Sequence, residues 1–272
     1  MRIVDSDGVK IAYEVMNANG PGVPVCFIAG LNGMRQACMT QAIPFSRERA
    51  VILHDHRGTG ESGKPTGAYS VQNMAKDVIA IMDDAGIAKA HMVGTSTGGA
   101  IAQVLCIDYP ERVQSAAICC SWMKCDHFFR CQFEMRKRIL LTMGTETLML
   151  LTSTTLNDPK WFTEHYAEVL KREKGLLQRA GPPEVDAARI DGILAFDESK
   201  RLERITTPVI VIGAKNDAVC PAYYSEQLAA AIEGAKLSLY EDGGHFFYIV
   251  YADRFNAEIR DFINHHENEP MR

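Results

Sequence analysis

The chain lacks most of the features that mark specialised protein classes. Cysteine is sparse, 8 in 272 residues, which excludes a small disulfide scaffold. No uninterrupted apolar run reaches 18 residues, so no membrane span is expected. The opening Met1-Arg2-Ile3-Val4-Asp5 holds no apolar run either, so no signal peptide is expected. Neither sign of charge dominates: 29 Lys+Arg face 34 Asp+Glu, a net charge of −5, and no broad basic surface is available for nucleic acid. What is present is ordinary: 47% apolar and 23% charged residues, enough to exclude a disordered chain. The length suits one large domain. Cys26, Cys106, Cys119 and Cys120 lie in apolar surroundings and read as buried, reduced thiols. The alternative, a zinc site at Cys120, Cys125, His127 and Cys131, lacks a C-x₂-C pair. These features lead to the expectation of a cytoplasmic protein with no metal and no cofactor.

The order of patterns points to an α/β fold. Residues 23–29 form a continuous apolar run ending at Gly30, as expected of a strand covered on both faces. A second run, 50–53, leads into the turn-rich His54-Asp55-His56-Arg57-Gly58-Thr59-Gly60-Glu61-Ser62-Gly63. Val71, Met74, Ala75, Val78, Ile79 and Met82 recur at helical spacing, with Ser70 as N-cap and Gly86 as stop. Further strands are expected at 90–93, 113–120, 208–212 and 237–240, with helices at 100–109, 222–232 and 252–265. The expected architecture is a mostly parallel sheet with helices on both faces. Residues 121–200 differ, being rich in aromatics and poor in strand pattern. They are expected to form a helical cap inserted after the sixth strand, with the core domain comprising 1–120 and 201–272.

Gly94-Thr95-Ser96-Thr97-Gly98 is a G-x-S-x-G sequence followed at once by Gly99. It follows an expected strand and opens an expected helix, the setting of a nucleophile elbow. The glycines are needed because a sharp strand-to-helix turn brings backbone against backbone and holds the serine in a strained conformation. A serine needs a base, and the base needs an orienting acid. His245, in the Gly243-Gly244-His245 loop after a short strand, is the chosen base, with His54 and His56 as weaker rivals. Asp217, a few residues after the 208–212 strand, is the chosen acid, and Asp242 ranks second. Two backbone N–H groups, of Leu31 and Thr97, are assigned to an oxyanion hole.

With Ala29-Gly30-Leu31-Asn32-Gly33, Arg57-Gly58-Thr59-Gly60, Gly94–Gly99, Asn216-Asp217 and Gly243-Gly244-His245 in this order, the chain resembles α/β-hydrolase-fold serine hydrolases over nearly its whole length. The resemblance implies Ser96 as nucleophile, His245 as base, Asp217 as orienter and a helical cap over the site. Ala29 and Thr95 depart from the pattern, standing where many members carry His, or His or Gln. Neither change removes a backbone donor. Gly30-Leu31-Asn32-Gly33, Arg57-Gly58-Thr59-Gly60, Trp122 and the arginines 130, 136 and 138 further resemble aminoacrylate hydrolases of pyrimidine degradation.

The reading is a serine hydrolase that cleaves a small ester or lactone through an acyl-enzyme. Two alternatives stay open: cofactor-free proton abstraction, as in dioxygenases or C–C hydrolases of similar fold, and a ligand receptor on the same scaffold. Asn32, Trp122, Arg130, Phe133, Arg136 and Phe246 are the candidate substrate contacts, with Phe128 and Met143 as further pocket candidates. Lys124, Arg130, Arg136, Lys137 and Arg138 outnumber Asp126 and Glu134 in the early insertion. If one of these cations faces inward, a carboxylate-bearing substrate is favoured. The expected partner is a small molecule, with neither nucleic acid nor membrane involved and homodimerisation left open.

Overall fold

The computed structural model describes residues 1–267 apart from 32, 68 and 179. In chain order its strands are β1 (Arg2–Ser6), β2 (Val9–Met16), β3 (Val25–Ile28), β4 (Val51–His54), β5 (Ala90–Thr95), β6 (Val113–Cys119), β7 (Val209–Ala214) and β8 (Lys236–Tyr240). Its α-helices are α1 (Met39–Phe45), α2 (Val71–Asp84), α3 (Thr97–Asp108), α4 (His127–Leu156), α5 (Pro159–Glu164), α6 (Tyr166–Leu177), α7 (Pro183–Leu194), α8 (Ala222–Ala231), α9 (Phe247–Val250) and α10 (Ala252–His265).

The strands form one sheet in the order β1-β2-β4-β3-β5-β6-β7-β8. From β4 to β8 all pairs are parallel, and β1 and β2 add an antiparallel edge. The continuous apolar strands follow from this arrangement, because side chains alternate between two covered faces. Cys26, Ile28 and Ile52 join one hydrophobic cluster with Met74, Ile101 and Leu105. Val25, Phe27 and Leu53 join the opposite one with Phe45, Phe255 and Ile259. Ser70 caps α2 as expected, its hydroxyl accepting the Asn73 N–H at 3.1 Å.

The β1–β2 hairpin was not anticipated. Its turn, Asp7-Gly8, has positive φ at both residues, 50° and 81°, as a tight two-residue connection requires. β1 is mostly exposed, and Lys10 and Glu14 interrupt β2, so neither shows the continuous apolar run that marks the inner strands.

Four helices, α4 to α7, occupy the interval between the neighbouring strands β6 and β7. Gly144 breaks α4, with φ 86° and ψ 172°. Among the described helices, α4 is the one long and apolar enough by length and composition to cross a membrane. Its first half carries Arg130, Arg136, Lys137 and Arg138.

Buried polar groups tie the sheet to its surroundings. Arg57 donates to both carboxylate oxygens of Asp77 on α2, at 2.8 and 2.6 Å. His91, on β5, is fully buried between Ser115 Oγ at 2.7 Å and Glu267 Oε2 at 3.2 Å. Burial holds its pKa down at about 4, against an opposing pull from Glu267. The unfolded chain therefore takes up this proton near pH 6.5, and the folded one only near 4. Stability should fall as pH drops through that window and level off below it, the His91 share being about 3 kcal/mol. Urea midpoints measured across the window should fall less steeply in His91→Gln than in the wild type. Equal slopes would refute this assignment.

Candidate active site

The carboxyl ends of the parallel strands are in register: Ile28 pairs with Gly94, Thr95 with Cys119, Cys119 with Ile212, and Ala214 with Tyr240. The loops that follow β3, β5, β6, β7 and β8 therefore emerge at one rim, where ligands bind in such sheets.

Ser96 stands at the turn from β5 into α3 with φ 55° and ψ −116°, a left-handed-side backbone that costs a residue with a side chain about 1–3 kcal/mol. The turn is forced by close approach. A Cβ on Gly94 would run into the Gly98 carbonyl, one on Gly98 into the Ile28 carbonyl, and one on Gly99 would lie 2.6 Å from Ser121 Cβ. The turn is held from below, the Ser96 N–H donating to Cys119 O at 2.8 Å and the Ser121 hydroxyl to Ser96 O at 2.9 Å. Ser96 itself is partly exposed.

On the far side of the rim, His245 Nδ1 lies 2.8 Å from Asp217 Oδ2, and both residues are buried. Asp217 is fixed by its other oxygen, which accepts the Val219 and Cys220 N–H groups at 2.7 and 2.9 Å. Asn216 fixes the histidine loop, its side-chain oxygen accepting the Gly244 N–H at 2.9 Å. Cys120 links the two halves. Its N–H donates to Ile212 O at 2.8 Å, and its thiol lies within reach of the Ser96 backbone and of the Asp217 charge. Burial, reinforced by that carboxylate, pushes the Cys120 thiol far up, so it stays a neutral spacer.

The rival groups lie elsewhere. Asp242 accepts from the exposed Tyr251 hydroxyl. His54 and His56 stack on each other, ring centroids 5.0 Å apart, with their ring nitrogens unpartnered among the described residues. Burial lowers both pKa values and keeps the rings neutral.

The loop after β3 abuts the serine: a Cβ on Gly30 would lie 3.2 Å from Ser96 Cβ. The Gly33 N–H donates to Gly30 O at 2.9 Å. In a planar trans peptide the Leu31 N–H points the opposite way from that carbonyl. The Thr97 N–H belongs to the first turn of α3, where no intrahelical acceptor exists.

The candidate substrate contacts divide. Phe246 is half-buried beside His245, ring centroids 6.1 Å apart. Arg136 is buried and within electrostatic range of Asp217. Phe133 is buried with Phe129 stacked on one side and the Arg136 guanidinium on its ring. Asn32 lies outside the described residues. Two assignments are corrected. Trp122 is fully buried in the core against Phe129 and Phe196, and the exposed Arg130 pairs with Glu134 along an outer groove shared with Lys137 and Asp191. Phe128 and Met143 are exposed.

Sequence reasoning missed Arg172 and Arg189. Arg172 stacks on Phe246, 5.0 Å from its centroid, but sits in a charged run that reads as a solvated helix face. Arg189, on α7, is buried, pairs with Asp186 at 3.1 Å, and donates from Nη2 to the Leu31 carbonyl. A cation from the helical insertion thus rests on the loop beside Ser96.

A strained strand-to-helix serine, a carboxylate-held histidine and a sheet of this order define an α/β hydrolase. The alpha/beta hydrolase fold family matches residues 23–251, and the chain belongs to that family of enzymes. It is 36% identical over 250 residues to the putative carbamate hydrolase RutD of Azorhizobium caulinodans, covering 92% of this chain and 93% of that one. An enol-lactonase from Burkholderia xenovorans shares the fold, with a TM-score of 0.89 at 22% identity over 97% of this chain and 100% of that one. Est816, described as an N-acyl homoserine lactone degrading enzyme, superposes with a TM-score of 0.83 at 28% identity, over 96% of this chain and 100% of that one.

The steric reading of the serine turn has a direct test. Gly98→Ala should cost at least about 3 kcal/mol, because the added methyl meets backbone on a rigid strand. Gly86→Ala, with positive φ but open space around it, should cost only about 1 kcal/mol. Urea titration of both variants checks the contrast, and similar losses would overturn it.

Proposed function

We propose that the enzyme hydrolyses small esters or lactones through an acyl-enzyme on Ser96, with α4 to α7 serving as a cap over the site. The observation that carries this reading is a His245–Asp217 contact of 2.8 Å on loops at the same sheet edge as the strained Ser96 turn. With Nδ1 turned to Asp217, His245 has Nε2 left to take the Ser96 proton. The Ser96 oxygen then bonds to the substrate carbonyl carbon. The Leu31 and Thr97 N–H groups hold the negative oxygen that forms, each such donor contributing about 2.7–4 kcal/mol in comparable sites. As the intermediate collapses, the C–O bond to the leaving group breaks and its oxygen takes the proton from the imidazolium. Water repeats the sequence on the acyl-enzyme: His245 accepts its proton, the hydroxyl bonds to the acyl carbon, and Ser96 recovers its proton as the acid departs.

Asp217 acts by holding the imidazole tautomer and stabilising the imidazolium. Its two backbone hydrogen bonds leave Oδ2 directed at the ring. Est816, a lactone-degrading neighbour at 28% identity, supports an ester-type acyl bond. The carbamate named for the RutD relative is also a carbonyl electrophile that the same steps accommodate.

Ser96→Ala should lose about 10⁴–10⁶-fold in kcat on methyl esters and lactones, and it should no longer be labelled by a fluorophosphonate. A variant that keeps activity within about tenfold of wild type would end the acyl-enzyme reading.

A further inference from the structure

Four arginines are buried among the described residues: Arg49, Arg57, Arg136 and Arg189. Three have a carboxylate partner, in Glu267, Asp77 and Asp186 respectively. Arg136 has none. It is 7% exposed, its Nη2 donates to the neutral Thr155 hydroxyl at 3.0 Å, and its guanidinium lies 5.2 Å from the Phe133 centroid. A buried cation without a counter-ion is costly, and proteins ordinarily pair it or leave it for a ligand.

Arg172, half-buried on α6, has a similar setting. Its Nη2 lies 3.4 Å from the neutral Asn157 Oδ1, its guanidinium covers the Phe246 ring, and no ion pair joins it to a described residue. Burial lowers the pKa of both groups, though each remains a cation at neutral pH.

The two guanidiniums are held by one short stretch of chain, since Thr155 and Asn157 are two residues apart. That stretch is fastened to the catalytic loop. Leu156 O accepts the Phe246 N–H at 3.1 Å, Asn157 pairs with Gly244, and Asn216 Nδ2 reaches Asp158 Oδ2 at 3.3 Å. Both cations therefore stand beside the His245 loop, one within range of Asp217 and the other on Phe246. Planar forks with neutral partners and free N–H donors suit a carboxylate, which two arginines can grip from two sides.

We infer that Arg136 and Arg172 form an anion subsite beside His245 that takes the carboxylate of a small acidic substrate, so the natural ester or lactone carries a free acid group. This inference rests on the serine-hydrolase reading for its position in catalysis, but the binding it describes does not depend on turnover.

The test compares monomethyl glutarate with methyl glutaramate, its primary-amide isostere, followed by acid release. Wild-type kcat/KM should favour the acid by about thirtyfold or more, and Arg136→Gln and Arg172→Gln should each shrink that ratio about tenfold, chiefly through KM. Arg136→Lys should recover part of it, keeping the charge without the fork. A wild-type ratio within about threefold of unity, or a ratio unmoved by either substitution, would overturn the subsite. Should a variant fail to fold, the wild-type ratio alone decides. Calorimetric binding of glutarate to Ser96→Ala separates the two proposals. Binding at least about tenfold tighter than that of glutaramate supports the subsite even if no ester is turned over, and equal binding refutes it.

Discussion

The rim of the sheet depends on one steric constraint: the main chain between β5 and α3 passes so close to β3, to Ser121 and to itself that positions 94, 98 and 99 have no room for a side chain. This contact sets the abruptness of the turn, and the abruptness puts Ser96 into a positive-φ conformation with its side chain on the open side. It also brings the start of α3, with its unpaired N–H groups, against the loop after β3. The histidine and aspartate loops need only emerge from the neighbouring strands to face the same space. Their own geometry is secured locally, by the two backbone donors on Asp217 and the Asn216 bond to Gly244.

Charge is distributed around this rim with an asymmetry that net composition hides. Residues 121–200 are electrically neutral overall, with 12 cationic and 12 anionic side chains. Their outer face holds most of the pairs, such as Lys137 with Asp191 and Arg130 with Glu134. The inner side holds Arg136 and Arg172, whose partners are a hydroxyl and an amide, and Arg189, which is paired with Asp186 and also reaches the Leu31 carbonyl. Cations set against neutral dipoles in a low-dielectric setting keep more of their field than cations matched by carboxylates. The insertion therefore contributes positive potential to a site whose own machinery is anionic at Asp217. Arg189 couples the two parts mechanically as well, because α7 reaches the same loop that carries Leu31.

Legibility in the sequence followed the range over which each feature is encoded. The serine turn was readable because its steric demands fall within six consecutive residues, Gly94 to Gly99. Asp217 and His245 were readable because each lies in a loop that follows an expected strand, and Asp242 ranked lower because it would have to fold back on its own loop; in the structure it accepts from Tyr251 instead. The β1–β2 hairpin escaped because neither of its strands has a continuous apolar run. Arg130 and Arg136 could not be told apart, since a separation of six residues turns a helix by about 240° and places them on different faces. Which face looks inward is a property of how α4 packs. Trp122 was misplaced for a similar reason: an aromatic at the start of the insertion is equally suited to lining a pocket or filling the core, and Phe129 and Phe196 drew it into the core.

By itself the sequence determined the order of the parallel strands and of the main core helices, the elbow at Ser96 and the identity of the groups able to act on a carbonyl, because glycine spacing and apolar periodicity act over a few neighbouring residues. Only the tertiary structure decided which cations reach the site, which aromatics line it, and that Arg172 and Arg189 belong to it at all. Those outcomes depend on the rotation and docking of α4, α6 and α7 against loops between 74 and 158 residues away along the chain, from Arg172 to Phe246 and from Arg189 to Leu31. No local pattern records that docking, since it is fixed by packing among segments that meet only once the chain has folded.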